Sequence, residues 1–198
     1  MQSFLIRTGW SFPALARSVG ALALVLAVWA LTSPLARADT IAVRSAEVRI
    51  EEGEVLLNAD FDLSLNSTLE EALEKGIPLY FVLEFELTRS RWYWLDDKVA
   101  QTSITSRVSY NALTRQYRVG SGLLAVAFNS LEEVERYIGR VTSRPVAQAS
   151  ALSKGMRYDA AIRLRLDVNQ LPKPFQVNAL ASREWTLASD WYRWTYIP

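Results

Sequence analysis

Carboxylates are the side chains of this chain that most readily suggest chemistry. Glu70, Glu71 and Glu74 crowd together ahead of an apolar run, Asp60, Asp62, Glu84 and Glu86 alternate with apolar residues, and Asp96 adjoins Asp97. Paired carboxylates can act as acid and base across a scissile bond, or hold a hard cation through oxygen. Their usual co-workers are missing. The chain has no histidine and no cysteine, which removes the commonest general base, the Ser-His-Asp triad, thiol nucleophiles and thiolate metal sites. A Ser–Lys dyad would need Lys75, Lys98, Lys154 or Lys173, and the adjacent pair Ser153-Lys154 sits in an Ala/Ser-rich stretch where neighbouring side chains rarely face each other. No G-x-S-x-G elbow occurs, and VGSGLL lacks the lysine of a phosphate loop. No catalytic residue, cofactor or metal is therefore expected, and a carboxylate-dependent hydrolase ranks third among the functional readings.

Aromatic clusters offer binding chemistry instead. RWYWLDDK places Trp92 and Trp94 on one face of a strand, about 7 Å apart, with Arg91 and the turn residues Asp96 and Asp97 beside them. Such a pair can stack on a sugar or a peptide, and the aspartates can add polar contacts or oxygen ligands for calcium. It can equally be a hairpin whose indoles pack inward, the commoner fate of tryptophan. A second cluster, Trp191 and Trp194 within WYRW, is either an exposed contact surface or a closing strand docked on the core.

The elements that must position these groups are mostly strands. Apolar residues alternate with polar ones over residues 41–50, then at Val55, Leu57, Ala59, Phe61, Leu63 and Leu65, and again at Leu79, Phe81, Leu83, Phe85 and Leu87. Further strands are expected over 99–110, 115–119, 123–129, 158–168 and 175–181, with the C-terminal DWYRWTYIP as an edge strand. Two segments break the period. In NSTLEEALEKG, Ser67 or Thr68 can cap a helix, glutamates suit its positive end, and Gly76 and Pro78 end it. In NSLEEVERYIGRV, Ser130 and Glu133 have capping-box spacing. The crowded glutamates are thus read as first-turn helix residues. The fold class expected is mainly β: an antiparallel sandwich, or a partly open barrel, with two short helices.

The N-terminus concerns delivery. Arg7 and Arg17 precede residues 18–36, which carry no charge, and Ala36-Arg37-Ala38 offers a cleavage site before Asp39. Residues 1–38 are read as a signal peptide, with a retained inner-membrane anchor facing the periplasm as the alternative. The rest, residues 39–198, suffices for one domain. Without Arg7, Arg17 and Arg37 it holds 19 basic against 21 acidic side chains, a net charge of −2. Nucleic acid is not an expected partner of such a surface.

Leu57-x-Ala59-x-Phe61, LEEALEKGIPLYF, RWYWLDD and LTRQYRV, in this order, resemble an exported proteobacterial family, domain of unknown function family 4390. The resemblance covers about residues 40–197. It implies a signal-bearing protein of the cell envelope, brings no catalytic residues, and adds a sensor kinase or another membrane protein to the partners worth considering. The resulting expectation is a non-enzymatic periplasmic β-domain that binds another envelope protein. Arg91, Trp92 and Trp94 lead its contact surface, with Asp96, Asp97, Trp191 and Trp194 as further binding candidates. The alternative is a module for a small ligand or glycan, received by an aromatic face or the sandwich interior.

Overall fold

The computed structural model describes residues 41–89, 97–122 and 124–198. The expected signal segment lies outside them, as do Arg91, Trp92, Trp94 and Asp96.

Two antiparallel sheets form the domain. The smaller holds β1 (Ala42–Glu51), β2 (Glu54–Asp62) and β7 (Arg140–Gln148) in the order β1-β2-β7. Glu52 and Gly53 both take positive φ, which is what a two-residue hairpin turn between β1 and β2 requires. The larger sheet has the order β6-β5-β4-β3-β8-β9, built from β3 (Leu79–Arg89), β4 (Asp97–Asn111), β5 (Gln116–Ser121), β6 (Leu124–Phe128), β8 (Tyr158–Leu166) and β9 (Tyr192–Tyr196). The sandwich expectation holds, and no closed barrel forms.

Alternation does the sorting. Leu79, Phe81, Phe85 and Leu87 of β3 are almost wholly buried, as are Val55 and Leu57 of β2, and they join Ile162 and Leu164 of β8 in one core. Register carries that inner face across the large sheet: Leu83 lies opposite Ile104 and Leu164, Val108 opposite Val119, and Val119 opposite Val126. Leu124, Val126 and Phe128 therefore share the inner face with the core residues of β3.

Three strands cannot cover six. At about 4.8 Å per strand the large sheet is roughly twice as wide as the small one, so other elements must finish the layer. Helix α1 (Ser67–Glu74) buries Leu69, Ala72 and Leu73, and packs against β4. Helix α2 (Leu131–Gly139) buries Val134 and Ile138, and packs against β2, β5 and β6. The end of α2 comes so close to β2 that a Cβ on Gly139 would sit 2.6 Å from the Phe61 carbonyl oxygen.

The caps differ in one detail from expectation. Asn66, not Ser67 or Thr68, caps α1: its Oδ1 accepts a hydrogen bond from the Leu69 amide at 3.0 Å. Asn can offer an acceptor in the same extended cap conformation and stands one residue earlier. Gly76 takes φ +82 just past the helix, as a left-handed stop demands. For α2 the capping box forms: Ser130 Oγ accepts from the Glu133 amide, and the Glu133 carboxylate accepts from the Asn129 amide.

Two elements correct the sequence reading. Residues 175–181, expected as a strand, belong to a third helix, α3 (Lys173–Ala181). Pro172 and Pro174 open it; the Pro172 carbonyl accepts from the Phe175 and Gln176 amides, and the Gln176 side chain donates to the Asn169 and Leu171 carbonyls. Those local bonds outweigh the alternation of Phe175, Val177 and Ala179. The second is β7, a strand that the alternation of the sequence does not mark. Its arginines, proline and two register shifts against β2 hide the period of two.

Candidate functional site

The clustered glutamates are helix residues. Glu70 stands in the first turn of α1, Glu71 pairs with Lys75 at 2.9 Å one turn on, and all three side chains point to solvent. Among the described residues, no group of three acidic side chains gathers as a cation site would require.

The alternating carboxylates of β3 do structural work on the outer face of the large sheet. Glu84 binds the guanidinium groups of Arg163 and Arg165, and Arg165 continues to Asp167 at 3.3 Å. Burial alone would raise the pKa of Glu84, but its two arginine partners outweigh that and hold the carboxyl below its ordinary value. Asp167 is lowered in the same manner, burial being overcome by hydrogen bonds from Gln170 and Arg165 and by the Arg165 charge. The Arg163 guanidinium also lies over the Trp191 ring, 4.6 Å from its centroid.

Trp191 and Trp194 consequently do not form one patch. Trp191 sits on the outer face against Arg163, whereas Trp194, opposite Ala160, points inward and meets Phe85 at a centroid distance of 6.3 Å. Asp97 begins β4 and pairs with Arg89 at 2.8 Å. Arg91, Trp92, Trp94 and Asp96 cannot be placed with them, because they lie outside the described residues.

A different surface has the geometry of a site. Between the small sheet and the β4-β5-β6 half of the large one lies an open groove of about 970 Å3. Its floor is the inner face: Phe81, Leu83, Ile104, Val119 and Leu164. One wall is β6, where Leu124 is 79% and Val126 43% exposed although both occupy inward positions. The other is α2 and β7, with the Tyr137 ring tilted against Phe128 at a centroid distance of 5.0 Å. Arg136 and Arg144 stand along this wall with Glu133, whose carboxylate is already engaged at the α2 cap, whereas Arg140 lies opposite Asp60 and so belongs to the outer face of the small sheet. Arg144 lies opposite Leu57, so the small sheet directs it to the inner side. Among the described residues no carboxylate pairs with Arg136 or Arg144, although the Arg136 guanidinium donates to the Glu132 carbonyl.

An apolar trough with unanswered positive charge along one wall can bind an anionic amphipathic group. It offers apolar area to side chains or acyl carbon and forked donors to carboxylate or phosphate. None of the described aromatic candidates lines it. A sequence signal did exist: LAVAF alternates large and small apolar residues without charge, and three arginines follow at intervals of four. That spacing crosses from helix to strand, so only the fold shows that Arg136 and Arg144 share a wall while Arg140 faces outward.

A model of the family described as Domain of unknown function (DUF4390) matches residues 38–195. The chain belongs to that family. No curated protein and no solved structure matches it. Membership of DUF4390 carries no activity with it, and the groove has to be read on its own chemistry. Among the described residues no helix is long and apolar enough to cross a membrane.

Proposed function

We propose that this DUF4390 domain is a non-catalytic binding module of the cell envelope that takes a segment of another envelope protein in the groove between its sheets. One observation carries the reading: Leu124 and Val126 occupy inner-face positions yet stand exposed, beside Arg136 and Arg144, which no carboxylate among the described residues neutralises. Isolated exposed apolar residues are ordinary, but a contiguous apolar trough rimmed by charge marks an interaction surface. The envelope location rests on the basic, then apolar, then small-residue layout of residues 1–38. The partner class includes membrane proteins such as a sensor kinase.

A photo-crosslinking residue at position 126, in cells that naturally make the protein, tests this. The expected result is a discrete protein adduct that Arg144→Glu removes and that the same residue at Ser103, an exposed polar position of β4, does not give. Equal labelling from both positions, or none from 126, contradicts it.

The groove volume favours a second reading, since small-ligand sites occupy a similar range. Here an anionic amphiphile would lie on the floor and a glycan would find little to bind, because the lining is largely apolar. A saturable change in tryptophan fluorescence with envelope lipid extract, absent with the Arg144→Glu variant, would favour it over a protein segment.

A further inference from the structure

The described strands give the two sheets four edges, and three of them are blunted. β1 carries Arg44, Glu47, Arg49 and Glu51 and slips register between Val43 and Ser45. β7 has Pro145 and its own two register shifts. β9 carries Arg193. β6 reads Leu124-Ala125-Val126-Ala127-Phe128, with no charge and no proline, in unbroken register with β5 from Tyr117↔Phe128 to Ser121↔Leu124. Folded sheets protect their edges by charge, proline, bulges or cover, because a bare edge presents a row of amides and carbonyls ready to pair with another chain. Among the described strands β6 alone lacks the first three devices.

We infer that β6 receives an extended anionic segment of the partner protein as a seventh strand of the large sheet. The inference rests on the groove being the binding site, and it specifies the occupant. A strand added to β6 would hydrogen-bond through its backbone and turn alternate side chains to opposite faces. One set would drop into the groove over Leu124 and Val126, toward the wall that carries Arg144. The other set would lie beside Ala125 and Ala127, small residues that leave room. Beyond them on that outer face Arg118, opposite Ala127, is exposed and pairs with no carboxylate among the described residues. Arg144 on the groove side and Arg118 on the outer side, neither paired with a carboxylate among the described residues, thus select acidic side chains on both faces of the incoming strand.

The same charges select against other occupants. A second copy pairing β6 to β6 would bring a further set of arginines and no acidic residue in the strand itself. A lipid would satisfy the arginines and the floor but leave the β6 edge unpaired.

Hydrogen exchange read by mass spectrometry on the purified protein tests this. The probe is a twelve-residue synthetic peptide of alternating valine and threonine with Glu-Asp-Glu at each end. Controls are the same peptide with lysine for its acidic residues, one with alternate amides N-methylated in either phase, and dodecanoate. The acidic peptide should slow exchange across 124–128 and leave β1 unchanged. The lysine peptide, or Arg144→Glu with an unchanged melt, should weaken binding at least about tenfold, as loss and reversal of a complementary charge does. One phase of N-methylation should abolish the protection. No slowed exchange at millimolar peptide overturns the inference, as does equal binding by both N-methylated forms or by the lysine peptide. Protection from dodecanoate alone, or from raising the protein concentration without peptide, overturns it in favour of lipid or a second copy. A specific crosslink from position 126 without protection of β6 removes the strand addition and keeps the groove reading; absence of that crosslink removes both.

Discussion

The two ends of the six-stranded sheet are built from similar material and finished differently. At the β9 end, inward Trp194 packs on Phe85 and Tyr196 lies against the core, while the outer face ties Glu84, Arg163, Arg165 and Asp167 into one network over which Trp191 is stacked. At the β6 end, inward Leu124 and Val126 remain exposed, and Arg136 and Arg144 find no carboxylate among the described residues. Paired charge and packed side chains explain stability. Unpaired charge beside an unfilled face gives the fold little, and so points to something outside the fold.

Mutations should separate the ends sharply. Phe85→Ala removes a side chain that is 1% exposed and should cost about 3–5 kcal/mol in urea unfolding. The matched truncation Leu124→Ala should cost no more than about 0.5 kcal/mol. A loss of several kcal/mol at Leu124 would break the comparison, by showing that β6 is core after all. Gly139→Ala sharpens it from the other side, since α2 closes the covered part of the layer. The added Cβ meets the Phe61 carbonyl oxygen at 2.6 Å, and overpacking should cost about 1–3 kcal/mol in the same assay.

Acid should act through the paired end. The pKa values of Glu84 and Asp167 are depressed in the fold, so their contribution is present above the ordinary carboxylate range and is lost as pH falls through it to their folded values. Unfolding midpoints should therefore fall below about pH 4.5, and Glu84→Gln should flatten that part of the profile. An unchanged slope would remove the network's role. The smallest effect expected is that of Arg144→Ala, within about 0.5 kcal/mol of the parent.

Much of the paired, filled part of this molecule was legible in the sequence. The alternation through Leu79, Phe81, Leu83 and Phe85 marks a buried face, and the acid-rich starts of α1 and α2 mark caps, because those signals are local. Helix α3 carries the signal of a strand because Phe175, Val177 and Ala179 alternate, while the prolines and the Gln176 side chain decide the backbone. β7 went unread because Arg140, Arg144 and Pro145 obscure its pleat. The groove was out of reach for a different reason. Whether an inward residue is covered depends on the width of the sheet opposite, which no window of sequence contains. The aromatic candidates Trp191 and Trp194 drew notice by residue type, yet one stacks on an arginine of the outer network and the other packs on the core.

The central claim is that the β6 end is kept open for a partner and not for the fold. Native mass spectrometry of the protein purified gently from cells that naturally make it, parent beside the Leu124→Ser/Arg144→Glu double variant, tests it most directly. The account predicts a complex with a second polypeptide for the parent, its loss in the variant, and urea midpoints that agree. A complex that survives both substitutions, or a variant that unfolds far more easily, would contradict it.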